Sequence, residues 1–210
     1  PSLDESRVSE PTARALRRTE LAYRGRAATV WAFGADGVCM FNFADPQSPL
    51  WRELGDPRRL ATLDKDYFGS VRGAVNAAGG NLPYARHQTV ETLNPANPKT
   101  VAPGKTVTAR INVGEALSQA GSVNLKLRLR FRTAVDPQLI QAFCNDQPLS
   151  LLGTNQTWIE YSVSPPVMRQ VTNQIKVMLA AKASPATWTD LMLEVRHQGK
   201  SNSPGSRPAS

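Results

Sequence analysis

Residues 123–132 alternate without a break. Val123, Leu125, Leu127, Leu129 and Phe131 fall on one side, and Asn124, Lys126, Arg128, Arg130 and Arg132 on the other. Successive side chains of a strand point to opposite faces, so this run fits a strand with one face on a core and the other facing polar surroundings. One-sided burial is the habit of antiparallel sheets. The same period runs through Val107, Ala109, Ile111 and Val113, and further strands are expected near 139–144, 158–163, 173–179 and 189–196. In the strand at 158–163, Trp158 is expected in the core, with Tyr161 out of phase. The connections carry turn residues: Asp136-Pro137, Asn145-Asp146-Gln147-Pro148, Gly153-Thr154-Asn155, Pro165-Pro166 and Pro185. Short strands separated by such signals predict an all-β antiparallel sandwich, jelly-roll-like, over residues 84–198.

The first part of the chain obeys a different period. Residues 1–18 are polar, with Arg14, Arg17 and Arg18 clustered. Thr19 is suited to cap a helix and Glu20 to its first turn. Leu21, Gly25, Ala28 and Ala32 then fall on one stripe at helical spacing, with Trp31 beside them. Gly34 marks the helix end, and the turn Ala35-Asp36-Gly37 follows. The run Val38-Cys39-Met40-Phe41-Asn42-Phe43 is apolar with little alternation, which predicts a strand buried on both faces, as in a parallel sheet. Asp56-Pro57 reads as N-cap and first position of a helix through about Asp64. Helix, turn, two-sided strand, loop and helix is α/β organisation, yet one strand makes no parallel sheet. Residues 1–76 therefore read as the end of a larger α/β domain. Residues 77–83 read as a linker, and the Ser/Pro-rich residues 199–210 as a disordered tail. The chain begins at Pro1 without an initiator Met or a signal-peptide pattern, and is expected to be processed or a fragment.

Composition narrows the function classes. No apolar run approaches the ~18 residues that cross a bilayer, so no membrane span is expected. The formal charge is +8, from 25 basic and 17 acidic side chains, with the excess in the second half. An acidic partner is to be considered there. Cys39 and Cys144, far apart in apolar runs, read as buried free thiols and not as a disulfide framework. His87 and His197 are the only histidines and show no metal-ligand spacing with the cysteines. No nucleotide-binding or acyl-transfer motif is present, and no cofactor is expected.

Two stretches carry a family resemblance. Residues 24–43, from Arg24-Gly25-Arg26 through Trp31-Ala32-Phe33-Gly34-Ala35-Asp36-Gly37-Val38 to Phe41-Asn42-Phe43, resemble the last helix–strand step of bacterial glycoside-hydrolase-like (β/α)₈-barrel proteins. Leu50-Trp51-Arg52-Glu53-Leu54-Gly55-Asp56-Pro57 and Leu63-Asp64-Lys65-Asp66-Tyr67 continue that likeness. Residues 140–149, Trp158–Pro165 and Asn173–Val177 are similar to β-sandwich modules that flank such barrels, with Asp146 where a Gly is usual. The resemblance implies an α/β barrel fragment (the last helix–strand–helix of a TIM-type barrel) followed by an accessory sandwich. It also implies a polysaccharide or oligosaccharide partner, missing N-terminal barrel units and an extracellular or periplasmic location.

Glycoside hydrolysis needs two flanking carboxylates at the C-terminal ends of barrel strands. No pair is recognisable here, so catalytic residues are expected upstream and the chain alone should hydrolyse nothing. Asn42, Phe43, Asp45 and Trp51 lie where the resemblance puts substrate-binding groups. Three of them have a structural alternative: Phe43 as core, Asp45 before Pro46 as a turn former, and Trp51 as cover over the barrel end or junction. Asp36 reads as a turn residue at the opposite, stabilising end. Lys126, Arg128, Arg130 and Arg132 are candidates for an anionic glycan or for phosphates. Alternatively they form a solvated outer face opposite Glu or Asp on neighbouring strands. Nucleic acid is disfavoured, because no aromatic interleaves with the cations within that strand.

Overall fold

The computed structural model describes residues 2–3, 8–41, 43, 45–71, 91–119 and 122–198. The expected linker 77–83, the tail 199–210, His87 and Asn42 lie outside them.

Two antiparallel sheets make the sandwich. One has four strands in the order β5 (Thr106–Val113), β11 (Val171–Leu179), β7 (Ile140–Cys144) and β8 (Gln147–Pro148). The other runs β3 (Lys65–Phe68), β12 (Ala186–His197), β6 (Val123–Phe131), β10 (Trp158–Val163) and β9 (Ser150–Asn155), with β4 (Lys99–Val101) also on β12. The alternation of residues 123–131 appears as strict burial of every second side chain of β6. Leu125, Leu127, Leu129 and Phe131 join Ile111, Val113, Ile175, Val177, Leu191 and Leu193 in one core. The β7–β8 turn is made by Asn145 and Asp146 in the left-handed region (φ 48° and 69°), so Asp146 serves without the flanking modules' glycine.

The sandwich does not stand apart from the first residues. β3, read from sequence as helix end and motif, pairs antiparallel with β12, Tyr67 opposite Leu193. α2 (Glu20–Ala32) starts at Thr19, whose side chain accepts from Ala22 N–H, and packs against that strand. Gly25 allows the contact, since a Cβ there would lie 2.2 Å from the Asp66 carbonyl oxygen. Gly114, just past β5, meets α2 equally closely, a Cβ there falling 2.1 Å from the Ala28 carbonyl carbon. Ala28 and Tyr67 belong to the sandwich core.

The expected two-sided strand is shorter and differently buried. β2 is only Cys39–Met40, and it pairs in parallel with β1 (Ser2–Leu3), a strand the polar N-terminal reading missed. α1 (Pro11–Arg17) and α2 form the crossover that a parallel pair requires. One face of β2 carries Val38 and Met40 toward a second apolar cluster of Leu3, Tyr23, Ala27, Leu50, Leu54 and Leu60. The other face is bare: Phe41 is 55% exposed and Cys39 is exposed, contrary to the buried thiol expected there. Cys144 is buried and free. The helix opened by Asp56 stops early. After α3 (Leu50–Glu53), α4 spans Pro57–Leu60, because residues from Lys65 are drawn into the sheet.

Trp158 sits on the opposite face from the one expected. It pairs with Arg130, and Tyr161 with Leu127, so Tyr161 enters the core and Trp158 the outer face. Trp158 is nonetheless buried, beneath the guanidinium groups of Arg128 and Arg130 at 4.8 and 6.0 Å from its ring centre.

Candidate functional site

At the C-terminal end of β2 three aromatic rings meet edge to face. Phe43 lies 5.5 Å from Tyr23 of α2 and 5.5 Å from Trp51 of α3, centre to centre. Phe43 is half-buried in the second cluster, and Trp51 is 49% exposed. The Trp51 indole N–H donates to the Asp45 carbonyl at 2.7 Å, so the ring is held while much of it faces solvent. The Asp45 carboxylate accepts from Gln47 N–H at 3.0 Å, the turn its sequence suggested, and remains exposed. Phe43, Asp45 and Trp51 are thus brought together. Tyr23 was missed, because its helical position carries no sign of where the following strand ends.

The basic face of β6 is matched by carboxylates. Lys126 lies 3.3 Å from Glu160 of β10 and 3.5 Å from Glu194 of β12; Arg128 is 3.0 Å from each of those two residues. Arg130 is 3.1 Å from Glu10, a partner supplied from before α1. Arg132 is exposed. Beside Arg130, Asp190 of β12 is fully buried and takes a bidentate pair from Arg17 of α1 at 2.6 and 2.8 Å, with the Arg17 guanidinium stacked on Phe68. α1 is therefore pinned across the sheet's outer face.

Where α2 and β3 meet the sandwich, a charged knot forms around Glu115. It accepts from Tyr67 Oη at 2.7 Å and lies 3.1 Å from Lys65 Nζ and 3.3 Å from His197 Nε2. Burial works to raise the Glu115 carboxyl, but His197, Lys65 and Tyr67 outweigh it and hold the group below the ordinary range. Burial lowers the Lys65 ammonium, against the pull of Glu115, and pushes Tyr67 well up. A cleft of about 400 Å³ adjoins this knot, lined by α2, α4, residues 114–116 and Gln170. Among the described residues, no cluster of three or more His, Cys, Asp and Glu is placed to hold a metal, and no helix is long and apolar enough to cross a membrane.

Neither a protein-family model nor a curated protein matches the chain. Among solved structures it is similar to BuGH86wt in complex with neoagarooctaose, at 14% identity over 49% of this chain and 18% of that one, with a TM-score of 0.39. It is also similar to BpGH86A, a β-porphyranase of glycoside hydrolase family 86 from the human gut bacterium Bacteroides plebeius. There the identity is 12% over 66% of this chain and 21% of that one, with a TM-score of 0.42. The chain spans about a fifth of the length of these proteins.

Proposed function

We propose that the chain is the C-terminal part of a glycoside-hydrolase-like protein acting on polysaccharide, with an extracellular or periplasmic location. In this reading residues 1–76, apart from β3, supply the closing wall of a (β/α)₈ barrel, and residues 84–198 together with β3 an accessory β-sandwich. The observation that carries the reading is the parallel unit of β1, the helical crossover and β2. Leu3, Val38 and Met40 cover one of its faces against helices, while Cys39 and Phe41 leave an apolar opposite face bare. In a (β/α)₈ barrel each strand is covered by helices outside and by layers of branched and aromatic side chains inside. A strand apolar on both faces and packed on one fits a wall whose interior is completed by further parallel strands. The catalytic carboxylates then belong to those units, at the C-terminal ends of their strands.

The rim at that end of β2 supports a sugar ligand. Trp51, fixed by its N–H and half exposed, offers a flat ring to the C–H face of a pyranose. Phe43 buttresses it, and the exposed Asp45 carboxylate can accept from sugar hydroxyls. The cations of β6 are better read as a structural face than as an anionic-glycan site, since Lys126, Arg128 and Arg130 are each matched to a carboxylate. Residues 1–210 incubated with neoagarooctaose are expected to release no new reducing ends. Turnover by this chain alone would overturn the placing of the catalytic carboxylates outside it.

A further inference from the structure

The cleft at the seam between α2, α4 and the sandwich is a second candidate for ligand binding, with a lining that includes none of Tyr23, Phe43 and Trp51. Its existence follows from side-chain size. Ala32 and Ala61 leave space above the seam, and Gly114 lets the sandwich loop approach the α2 backbone. Its volume of about 400 Å³ falls in the usual range for small-ligand pockets.

The lining has a consistent chemistry. Trp31 contributes an aromatic wall, locked by its indole N–H donating to the Leu54 carbonyl at 2.8 Å. Glu115 and Gln170 bring the planar polar groups. Three groups already surround the Glu115 carboxylate, and such a group can accept about four hydrogen bonds. Gln170 is exposed, and its amide N–H₂ makes only a long 3.5 Å contact to the Gly114 carbonyl. The backbone beside it is strained: Val171 stands at φ 72°, a conformation costly for a β-branched residue. Strain of that kind concentrates where a side chain must be held for a ligand.

The remaining ligand classes fit less well. The Lys65 ammonium faces the Glu115 carboxylate, and the cleft lining carries no Lys or Arg, so a phosphate or sulfate finds no positive partner in it. The groove over Lys126, Ser162 and Glu194 on the sheet's outer face offers no aromatic ring. A neutral ligand with an apolar face and a polar edge suits the seam.

We infer that this seam cleft binds a neutral pyranose of a polysaccharide chain, with Trp31 against the ring's C–H face and Gln170 and Glu115 toward its hydroxyls. The ligand class rests on the polysaccharide reading above; the site itself is independent of the rim at Trp51.

The test is calorimetric titration of residues 1–210 with cellohexaose, xylohexaose and a β-linked galactohexaose, each neutral, alongside thermal melting of every variant. At least one sugar is expected to bind. Its affinity should fall about tenfold in Gln170→Ala, the loss of one hydrogen bond, and vanish in Ala61→Trp, which fills the cleft. It should be unchanged in Lys182→Ala, an exposed residue outside both the cleft and the rim. Should Ala61→Trp fail to fold, the exposed Gln170→Ala change decides the matter. Binding of none of the three sugars overturns the inference. So does binding that both cleft variants leave intact; if Trp51→Ala abolishes such binding, the sugar lies at the rim and the polysaccharide reading stands without the cleft.

Discussion

At the scale of single residues, buried polar groups tie the chain's first turns to its last strand. Arg17 and Asp190 are fully buried and bonded through both terminal guanidinium nitrogens, so removing either leaves an uncompensated charge in the interior. Arg17→Ala is expected to cost about 3–5 kcal/mol, measured by urea denaturation. Tyr161 behaves differently, because its buried hydroxyl has no hydrogen-bond partner among the described residues. Burial pushes Tyr161 up from 10 to about 12 and Cys144 from 9 to about 11. The unfolded chain releases these protons from pH 9 and 10 upward, the folded chain only near 11 and 12. Stability present below pH 9 is therefore lost between pH 9 and 12, by on the order of 2–3 kcal/mol for each group. A Cys144→Ala, Tyr161→Phe double variant should show a shallower alkaline fall in its melting temperature. Tyr161→Phe alone should leave neutral-pH stability unchanged or slightly raised.

At the scale of elements, the bare face of β2 is the feature with consequences in solution. Cys39 and Phe41, with Phe33 61% exposed after α2, leave apolar surface beside the open edges of a parallel pair. Such edges and patches drive self-association. Residues 1–210 should associate with rising concentration in sedimentation velocity runs, and Phe41→Ser should shift the distribution toward monomer without lowering the melting temperature. The same elements show what could be read from sequence. β6 was legible because period two needs no partner to be recognised, and α2 because Thr19, Gly25, Ala28 and Gly34 act locally. β1 and β3 were not, since Ser2–Leu3 and Lys65–Phe68 become strands only by pairing with Cys39–Met40 and with β12, far along the chain. Trp158 was assigned to the wrong face for a similar reason. With Trp158, Ile159 and Tyr161 all large and apolar, hydrophobicity alone does not fix the phase, and the register opposite Arg130 does. The aromatic rim was partly legible in Phe43, Asp45 and Trp51; Tyr23 and the seam cleft arise only where distant segments pack.

At the scale of the whole molecule, residues 11–68 keep an apolar cluster of their own and are tied to the sandwich by shared contacts. β3 is an edge strand of the six-stranded sheet, Ala28 and Tyr67 lie in the sandwich core, and Arg17 bridges to Asp190. A unit so joined should lose its structure in one step. Tryptophan fluorescence, reporting Trp31 and Trp51 beside α2 as well as Trp188 in the core, and far-UV circular dichroism should give coincident urea transitions. Two separated transitions would mean that the α/β segment unfolds independently of the sandwich.

Read as a barrel wall, the bare parallel face requires its remaining strands to come from preceding chain. Sequencing the gene upstream of the Pro1 codon tests it most directly. The reading frame is expected to continue through alternating strand and helix patterns on the scale of a barrel, about 250 residues in all, with Asp or Glu at strand ends. A start codon, or a signal peptide, immediately before Pro1 would contradict it.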